Sequence, residues 1–321
     1  MLVVWFHATL LQRLGSGPLW HSTVGRDVAR CRAGWWRNLL FSNNYGDHNH
    51  QYCLLVSWHL AVDTQMFLVC LPLVYALCRR PWLGRAVLAS LFALSVLVPF
   101  LVVWIGRHDA LVLPILENIE DLPSSRYMQE VYVRTENRAA PHLIGVVAAL
   151  VMVRFRQSHF RINKAWSLAG LVLLKAAAVG TMLCAYPLYA PGWERSQALA
   201  ALYAALSPVL FAAAHAGVVL LLCFGSLGNL KKILTWRPFR ILGKLTYGAN
   251  LVHTLAQVYY KGTLRVQLPT DVFTFLWMAA GDAVFSFATS FLLWLLLEAP
   301  ARALGGLVFG QRAASRRHKT S

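Results

Sequence analysis

Long apolar runs separated by short basic segments dominate the chain. Seven of these runs approach the roughly 20 residues that an α-helix needs to cross a bilayer. They are residues 54–77, 83–105, 141–153, 166–187, 198–224, 239–261 and 273–297. The third run is short and the sixth is comparatively polar. The pattern predicts an all-α, polytopic membrane helix bundle with about seven full transmembrane spans and a partial N-terminal one.

The N-terminal stretch "MLVVWFHATLL" is apolar but only about half as long as a membrane span. It lacks the basic region that begins a secretory signal peptide. We therefore expect it to be the second half of a helix whose first half precedes Met1. The predicted domains are a partial transmembrane helix at 1–12, an external loop at 13–53, a helical membrane domain at 54–310 and a basic cytosolic tail at 311–321.

Composition supports a membrane protein. The chain has 321 residues, of which 58% are hydrophobic and 13% charged, whereas a soluble domain averages about 25% charged residues. The formal net charge is +17, but the basic residues lie in short clusters between apolar runs. That arrangement orients helices in a membrane and argues against nucleic acid as a partner.

The basic clusters predict an orientation for the helices. If 54–77 runs from outside to inside, the clusters at 79–85, 154–164 and 231–240 and the C-terminal tail all face the cytosol. The external loop is the exception, since 13–52 carries Arg13, Arg26, Arg30, Arg32 and Arg37. We expect a multi-pass protein of the endoplasmic reticulum or plasma membrane with a cytosolic C-terminus.

The cysteines give a separate indication of the same orientation. Cys31 and Cys53 would both face an oxidising compartment, and a disulfide between them would tie the external loop to the first full span. The alternative is a pair of free thiols. The remaining cysteines lie within or at the ends of spans as small packing residues, and no Cys or His spacing indicates zinc.

Several motifs follow one another along the chain: "GPLW", "CRAGWWRNLLFSNNY" and "SWHLAVDTQMF" in the first part, then "YVRTENRAAPHLIG" (132–145), "LGKLTYGANLVHTLA" (242–256) and "LEAPARAL" (297–304). In this order they resemble the nose-resistant-to-fluoxetine-like branch of the acyltransferase 3 membrane family. The resemblance covers about residues 1–310. It implies an integral-membrane acyltransferase that moves an acyl group from a donor to an acceptor hydroxyl.

Compared with the family pattern that the resemblance implies, the chain also shows differences. The family's candidate catalytic His and a set of arginines belong to helices upstream of Met1. Asn250 and His59 stand where the branch usually has Tyr, and Pro208 stands where it often has Arg. The chain is therefore expected to be inactive alone if those upstream helices are required.

Three ionisable residues are predicted to form one polar layer inside the membrane. Asp63, His253 and Asp282 each lie eight or nine residues below the outer edge of a predicted span. At 1.5 Å per residue this places them about 12–14 Å deep. A charged side chain at such a depth costs about 2.5–3.5 kcal/mol on insertion scales, so it usually faces the bundle interior and often marks function.

These residues suggest an acyl-transfer site. Asp63 and His253 are the catalytic candidates, because a carboxylate can orient an imidazole that takes a proton from a hydroxyl. His59, Arg134, Arg138 and Asp282 are candidate substrate-binding residues, with the arginines suited to an anionic head group or acyl carrier. No bound cofactor is expected. The substrates would be an acyl donor such as acyl-CoA and a hydroxyl acceptor, with membrane lipid as the surroundings.

Two other classes of function remain open. A non-catalytic membrane protein for lipid or drug uptake would keep the polar layer as an interior hydrogen-bond network that fastens helices. A haem-binding electron carrier would need axial His pairs, for which His59, His142, His215 and His253 are candidates. The chain has no phosphate-binding Gly-rich loop and no Gly-x-Ser-x-Gly motif of soluble enzymes.

Overall fold

The structure, a computed structural model, describes residues 1–46, 52–112, 118, 121–188, 196–266 and 271–308. These residues are predominantly helical and include no β-strand, which confirms the predicted all-α class. The helices are α1 (Leu2–Thr9), α2 (Arg26–Leu39), α3 (Trp58–Arg79), α4 (Pro81–Gly106), α5 (Thr135–Gln157), α6 (Lys164–Leu183), α7 (Gln197–Phe224), α8 (Gly228–Leu234), α9 (Arg237–Thr263), α10 (Val272–Leu293) and α11 (Ala299–Val308).

Six helical segments among the described residues are long and apolar enough to cross a membrane. They are Leu55–Arg79, Pro81–Gly106, Met128–Gln157, Lys164–Leu188, Gln197–Phe224 and Val272–Leu307. Each matches one of the predicted apolar runs, although the first begins at Leu55, one residue later than predicted. The chain is therefore a multi-pass membrane protein.

The predicted run at 239–261 is not among these six segments, so the expectation of seven apolar spans is not met in the described residues. The run does fold as a single helix, α9, which has 27 residues. At 1.5 Å per residue it is about 40 Å long, which is enough to cross a bilayer. Its basic and amide side chains reduce its apolar content. The helix was thus predicted correctly, and its polarity sets it apart from the six.

The predicted run at 141–153 is longer in the structure. Helix α5 begins at Thr135 and ends at Gln157. A search for apolar runs misses the first turns of this helix, because they carry polar residues such as Thr135 and Asn137. Both of these residues are buried. Pro141 lies within the helix, where its missing N–H leaves a carbonyl of the preceding turn without its usual partner.

The described residues group into two compact units, Met1–Ala33 with Leu234–Ser321 and Gly34–Ile233. In the larger unit, Gly34–Ile233, α4 packs against α3, α5 and α7, and α6 packs against α7. Val62, Met66 and Leu73 of α3 form a buried cluster with Leu143 of α5. This cluster sets the two helices side by side and so determines which of their polar residues can meet.

The smaller unit is built on the long contact between α9 and α10. Its core contains Leu11, Trp20, Val24 and Val28, with Leu255 of α9 packed against them. The backbones approach closely here, since a Cβ atom on Gly17 would lie 2.4 Å from the carbonyl oxygen of Gly262. Glycine is therefore required at residue 17 for the N-terminal segment to rest on the end of α9.

Cys31 and Cys53 are both disulfide-bonded, as predicted, and both are buried. Cys70, Cys78, Cys184 and Cys223 are free. The disulfide confirms the pairing that the external placement suggested, although the side of the membrane itself stays a prediction.

Candidate functional site

A buried amide network joins the N-terminal parts of α3 and α5 in the larger unit. Asn44 is fully buried, and its Nδ2 donates to Thr135 Oγ1 at 2.8 Å and to the Val133 carbonyl at 3.2 Å. Gln65 of α3 donates through Nε2 to Asn44 Oδ1 at 3.0 Å. The loop residue Asn44 thus bonds to both helices at once.

A second set of hydrogen bonds extends this network toward the start of α3. Asn43 Nδ2 donates to Ser57 Oγ at 2.9 Å, and Ser57 Oγ donates to Asn38 Oδ1 at 2.7 Å. Asn38 Nδ2 in turn donates to the Cys53 carbonyl at 3.2 Å. Because buried polar groups are costly unless paired, these bonds specify one arrangement of the loop.

The predicted catalytic residue Asp63 lies on α3 beside His142 of α5. Nε2 of His142 is 2.9 Å from Oδ1 of Asp63. On its other side, Nδ1 of His142 is 3.2 Å from the carbonyl oxygen of Arg138, one turn earlier on α5. The carboxylate and the imidazole therefore form a dyad that bridges the two helices.

Both ring nitrogens of His142 are occupied by protein partners. A carbonyl oxygen can only accept, so the contact with Arg138 is a hydrogen bond donated by Nδ1. Nε2 faces Oδ1 of Asp63. Neither nitrogen is therefore open to a substrate, and the imidazole holds the carboxylate in position.

Asp63 is the more exposed member of the dyad. The Asp63 side chain is 61% exposed and the His142 side chain 28% exposed. Oδ2 of Asp63 makes no hydrogen bond to any residue in the described ranges. This oxygen can accept a hydrogen bond from a hydroxyl or an amine that approaches α3.

The two predicted substrate-binding arginines rest on aromatic rings near the dyad. The Arg138 guanidinium carbon lies 4.2 Å from the Tyr132 ring centroid and 5.7 Å from that of Trp58. Arg134 lies 5.1 Å from the ring centroid of Tyr45. These distances are typical of cation–π contacts.

Each of these arginines also has one backbone hydrogen bond. Nε of Arg138 donates to the Tyr132 carbonyl at 2.7 Å, and Nε of Arg134 donates to the Gln129 carbonyl at 2.9 Å. The terminal Nη groups of both residues bond to no residue that the structure describes. Both arginines are thus held in position with donors free for an anionic ligand.

The other predicted candidate of α3, His59, is half-buried and lies edge-on to Trp58, with ring centroids 6.1 Å apart. It is one helical turn from Asp63, as the spacing predicted. Trp58 therefore contacts both His59 and Arg138, which places these candidates around one aromatic side chain.

His253 and Asp282 belong to the smaller unit, whereas Asp63 belongs to the larger. Nδ1 of His253 lies 2.7 Å from the Asn250 carbonyl. Oδ2 of Asp282 accepts a hydrogen bond of 3.2 Å from Gln257 Nε2. Each of the three residues of the predicted polar layer thus has a partner within its own unit, and their meeting in one layer stays a prediction.

Asp282 also lines a cavity of about 660 Å³ in the smaller unit. The other lining residues are apolar or aromatic and come from the N-terminal segment, α9 and α10: Phe6, Leu11, Leu14, Leu255, Ala256, Tyr259, Tyr260, Trp277, Met278, Gly281 and Phe285. The volume lies within the range of pockets for small organic ligands.

A charged cluster lies just beyond the end of α4. Nε2 of His108 is 3.0 Å from Oε2 of Glu130, and Arg126 pairs with the same carboxylate at 3.1 Å. Burial lowers the pKa of His108, in opposition to the Glu130 carboxylate, which raises it. The Arg126 charge acts in the same direction as burial.

His142 is the residue that sequence reasoning missed as the partner of Asp63. A sequence signal for His142 was available. It lies four residues after Arg138 within the motif at 132–145, so the two residues share a helix face. Among the described residues, no three His, Cys, Asp or Glu side chains converge to hold a metal ion.

The chain is similar to one curated protein over nearly its whole length. It is 27% identical over 330 residues to Nose resistant to fluoxetine protein 6 of Caenorhabditis elegans. The alignment covers 97% of this chain but 38% of the relative. No protein-family model matches the chain, and no solved structure matches it. The residues that build the dyad, the amide network and the cavity therefore lie in a chain that is similar to part of a nose-resistant-to-fluoxetine protein.

Proposed function

We propose that the chain is part of an integral-membrane acyltransferase-like protein and that Asp63 with His142 forms the acceptor side of its site. The observation that carries this proposal is the 2.9 Å contact between the two side chains, which leaves Oδ2 of an exposed Asp63 side chain without a partner among the described residues. A carboxylate held in this way is suited to orient a hydroxyl and to remove its proton. His142 is the positioning residue.

In the proposed reaction, the acceptor hydroxyl donates its proton to Asp63. The hydroxyl oxygen then forms a bond to the carbonyl carbon of an acyl donor such as acyl-CoA, and the carbon–sulfur bond breaks. The thiolate leaves and takes up the proton from Asp63, so the carboxylate returns to its starting state. General-base help of this kind typically contributes 10²–10⁴-fold in rate.

Arg134 and Arg138 are assigned to the donor in this proposal. Their free Nη groups suit the phosphate oxygens of an acyl carrier or a lipid head group. The aromatic rings of Tyr45, Tyr132 and Trp58 hold the guanidinium groups in place before the ligand arrives. This arrangement lowers the entropic cost of binding.

A non-catalytic role in handling lipids or drugs is the second candidate. The observation in its favour is the apolar cavity beside Asp282, which lies in the smaller unit and outside the dyad. The two candidates differ in what an Asp63 variant changes. A transfer enzyme loses turnover, whereas a lipid-handling protein keeps its ligand binding.

The chain spans 38% of its relative, so the assay uses a chimera. In it, residues 1–321 replace the matching segment of the Caenorhabditis elegans protein. Purified chimera in lipid nanodiscs is supplied with labelled acyl-CoA and a panel of lipid and sterol hydroxyl acceptors. We expect transfer that falls at least about 100-fold in Asp63→Asn.

The matched control is His215→Gln, because His215 is another histidine in a predicted span and bonds only to the Phe211 carbonyl in the described structure. This variant should keep its turnover. Unchanged turnover in Asp63→Asn, or no transfer to any acceptor by the intact chimera, would favour the lipid-handling role instead.

A further inference from the structure

The cavity of the smaller unit combines one carboxylate with several aromatic rings. Asp282 is the only acidic residue among its lining residues. Its Oδ2 accepts a hydrogen bond from the neutral amide of Gln257. No Lys, Arg or His of the described residues forms an ion pair with it. The carboxyl group of Asp282 therefore has a hydrogen-bond partner but no cationic partner among the described residues.

An unneutralised carboxylate within a span is costly. Asp282 lies in α10, within the apolar segment Val272–Leu307. A charge at such a position costs several kcal/mol unless it meets a cation, a polar partner or water. A positively charged ligand in the cavity would neutralise it, and an anionic ligand would be repelled.

The aromatic rings favour a cation of a particular kind. Tyr259 and Tyr260 of α9 and Trp277 and Phe285 of α10 line the cavity. The faces of such rings attract organic ammonium groups, and Trp does so most strongly. The rest of the lining is apolar, which suits a hydrocarbon portion.

From this charge and this lining we propose that the cavity binds a cationic amphiphile. The ammonium group pairs with Asp282 between the aromatic rings, and the hydrocarbon portion lies along Leu11, Leu14 and Leu255. A cavity of about 660 Å³ accommodates an alkyl or aryl amine of ordinary drug size. This site is independent of the proposed acyl-transfer dyad, because all of its residues belong to the smaller unit.

The test uses the full 321-residue chain in nanodiscs of phosphatidylcholine, which carries no net negative charge to concentrate cations. The probe is dodecyltrimethylammonium with a diazirine on its chain, and labelled peptides are mapped by mass spectrometry after illumination. We expect labelling of α9 and α10 at the cavity. Unlabelled dodecyltrimethylammonium should compete, whereas dodecanol and dodecyl sulfate should compete at least about tenfold less well.

Two pairs of variants test the recognition. Asp282→Asn should weaken competition by dodecyltrimethylammonium about tenfold, whereas Asp271→Asn, at the N-cap of α10, should not. Trp277→Leu should weaken it as well, whereas Phe273→Leu, an exposed aromatic change outside the lining, should not. Asn is as good an N-cap as Asp, so the first control preserves the helix end.

The proposal is overturned by three results. One is equal competition by dodecanol, which would indicate a cavity filled by any hydrocarbon. Another is unchanged competition in Asp282→Asn with the variant folded, as judged by its thermal unfolding. The last is labelling confined to peptides outside the cavity. None of these results depends on acyl transfer, so failure here leaves the dyad proposal intact.

Discussion

Nε2 of His142 lies 2.9 Å from Oδ1 of Asp63, although the two residues are 79 positions apart in the chain. The contact exists because the buried cluster of Val62, Met66 and Leu143 packs α3 against α5. The hydrogen bond from His142 Nδ1 to the Arg138 carbonyl then fixes the plane of the ring. An exposed carboxylate is thereby held on a rigid pair of helices.

The contact should contribute little to stability. Ion pairs that are largely exposed are worth about 0–1 kcal/mol, and polar contacts between membrane helices average about 0.6 kcal/mol. We expect Asp63→Asn to lower the free energy of unfolding by no more than about 1 kcal/mol. Thermal unfolding in detergent checks this value. A protein that fails to fold would show instead that the pair holds the helices together.

The amide network should contribute considerably more. Asn44→Ala removes the donor to the Val133 carbonyl and to Thr135 Oγ1. The Thr135 hydroxyl keeps its hydrogen bond to Gln65, so the main cost comes from the Val133 carbonyl, and a buried partner left unpaired costs roughly 1–3 kcal/mol. The control is Asn229→Ala, since Asn229 is exposed on α8. The measurement is the shift of the unfolding midpoint. Equal shifts in the two variants would contradict the role given to the network.

The disulfide is a further source of stability. Replacing Cys31 by Ser should lower the free energy of unfolding by about 3 kcal/mol in the chain-entropy model. Cys78→Ser, which changes a free and exposed cysteine, should have almost no effect. Non-reducing peptide mapping should recover the Cys31 and Cys53 peptides linked. Recovery of both as free thiols would refute the bond.

The buried His108 predicts a dependence of stability on pH. Burial holds its pKa below the ordinary value in the folded protein, so the unfolded chain binds the proton first. The stability that the neutral His108 contributes is therefore fully present above the unfolded-state pKa of about 6.5. It is lost as the pH falls below that pKa. His108→Gln should flatten the fall of the unfolding midpoint between about pH 7.5 and pH 5.5.

The control for this prediction is His21→Gln, which replaces an exposed histidine. Its unfolding midpoint should follow that of the unchanged protein at every pH. If His108→Gln shows the same acid sensitivity as the unchanged protein, His108 is not the group that titrates.

The sequence predicted the helices well because membrane spans depend on local apolar content. Six of the seven predicted runs are confirmed as apolar segments long enough to cross a membrane. The seventh is confirmed as a helix, α9, but its polar side chains separate it from the other six. The disulfide was also predictable, because Cys31 and Cys53 are the two cysteines that the predicted topology places in an oxidising compartment. Features of this kind can be predicted because they depend on the local sequence and not on how the helices pack.

The partner of Asp63 was less accessible to sequence reasoning. Asp63 itself is conspicuous as a charge in an apolar run, but its neighbour is decided by helix packing far along the chain. His142 lies within the predicted run at 141–153, near the start of α5, but the run itself does not show which neighbouring helix the side chain meets. The cavity beside Asp282 likewise depends on three segments that are distant in sequence.

The most direct test of the central claim is a double-mutant cycle on turnover in the chimera. If Asp63 and His142 act as one unit, their effects are not additive. We predict that Asp63→Asn and His142→Ala each reduce acyl transfer strongly and that the double variant is no slower than Asp63→Asn alone. Rate losses that multiply, with all three variants folded, would contradict a catalytic dyad.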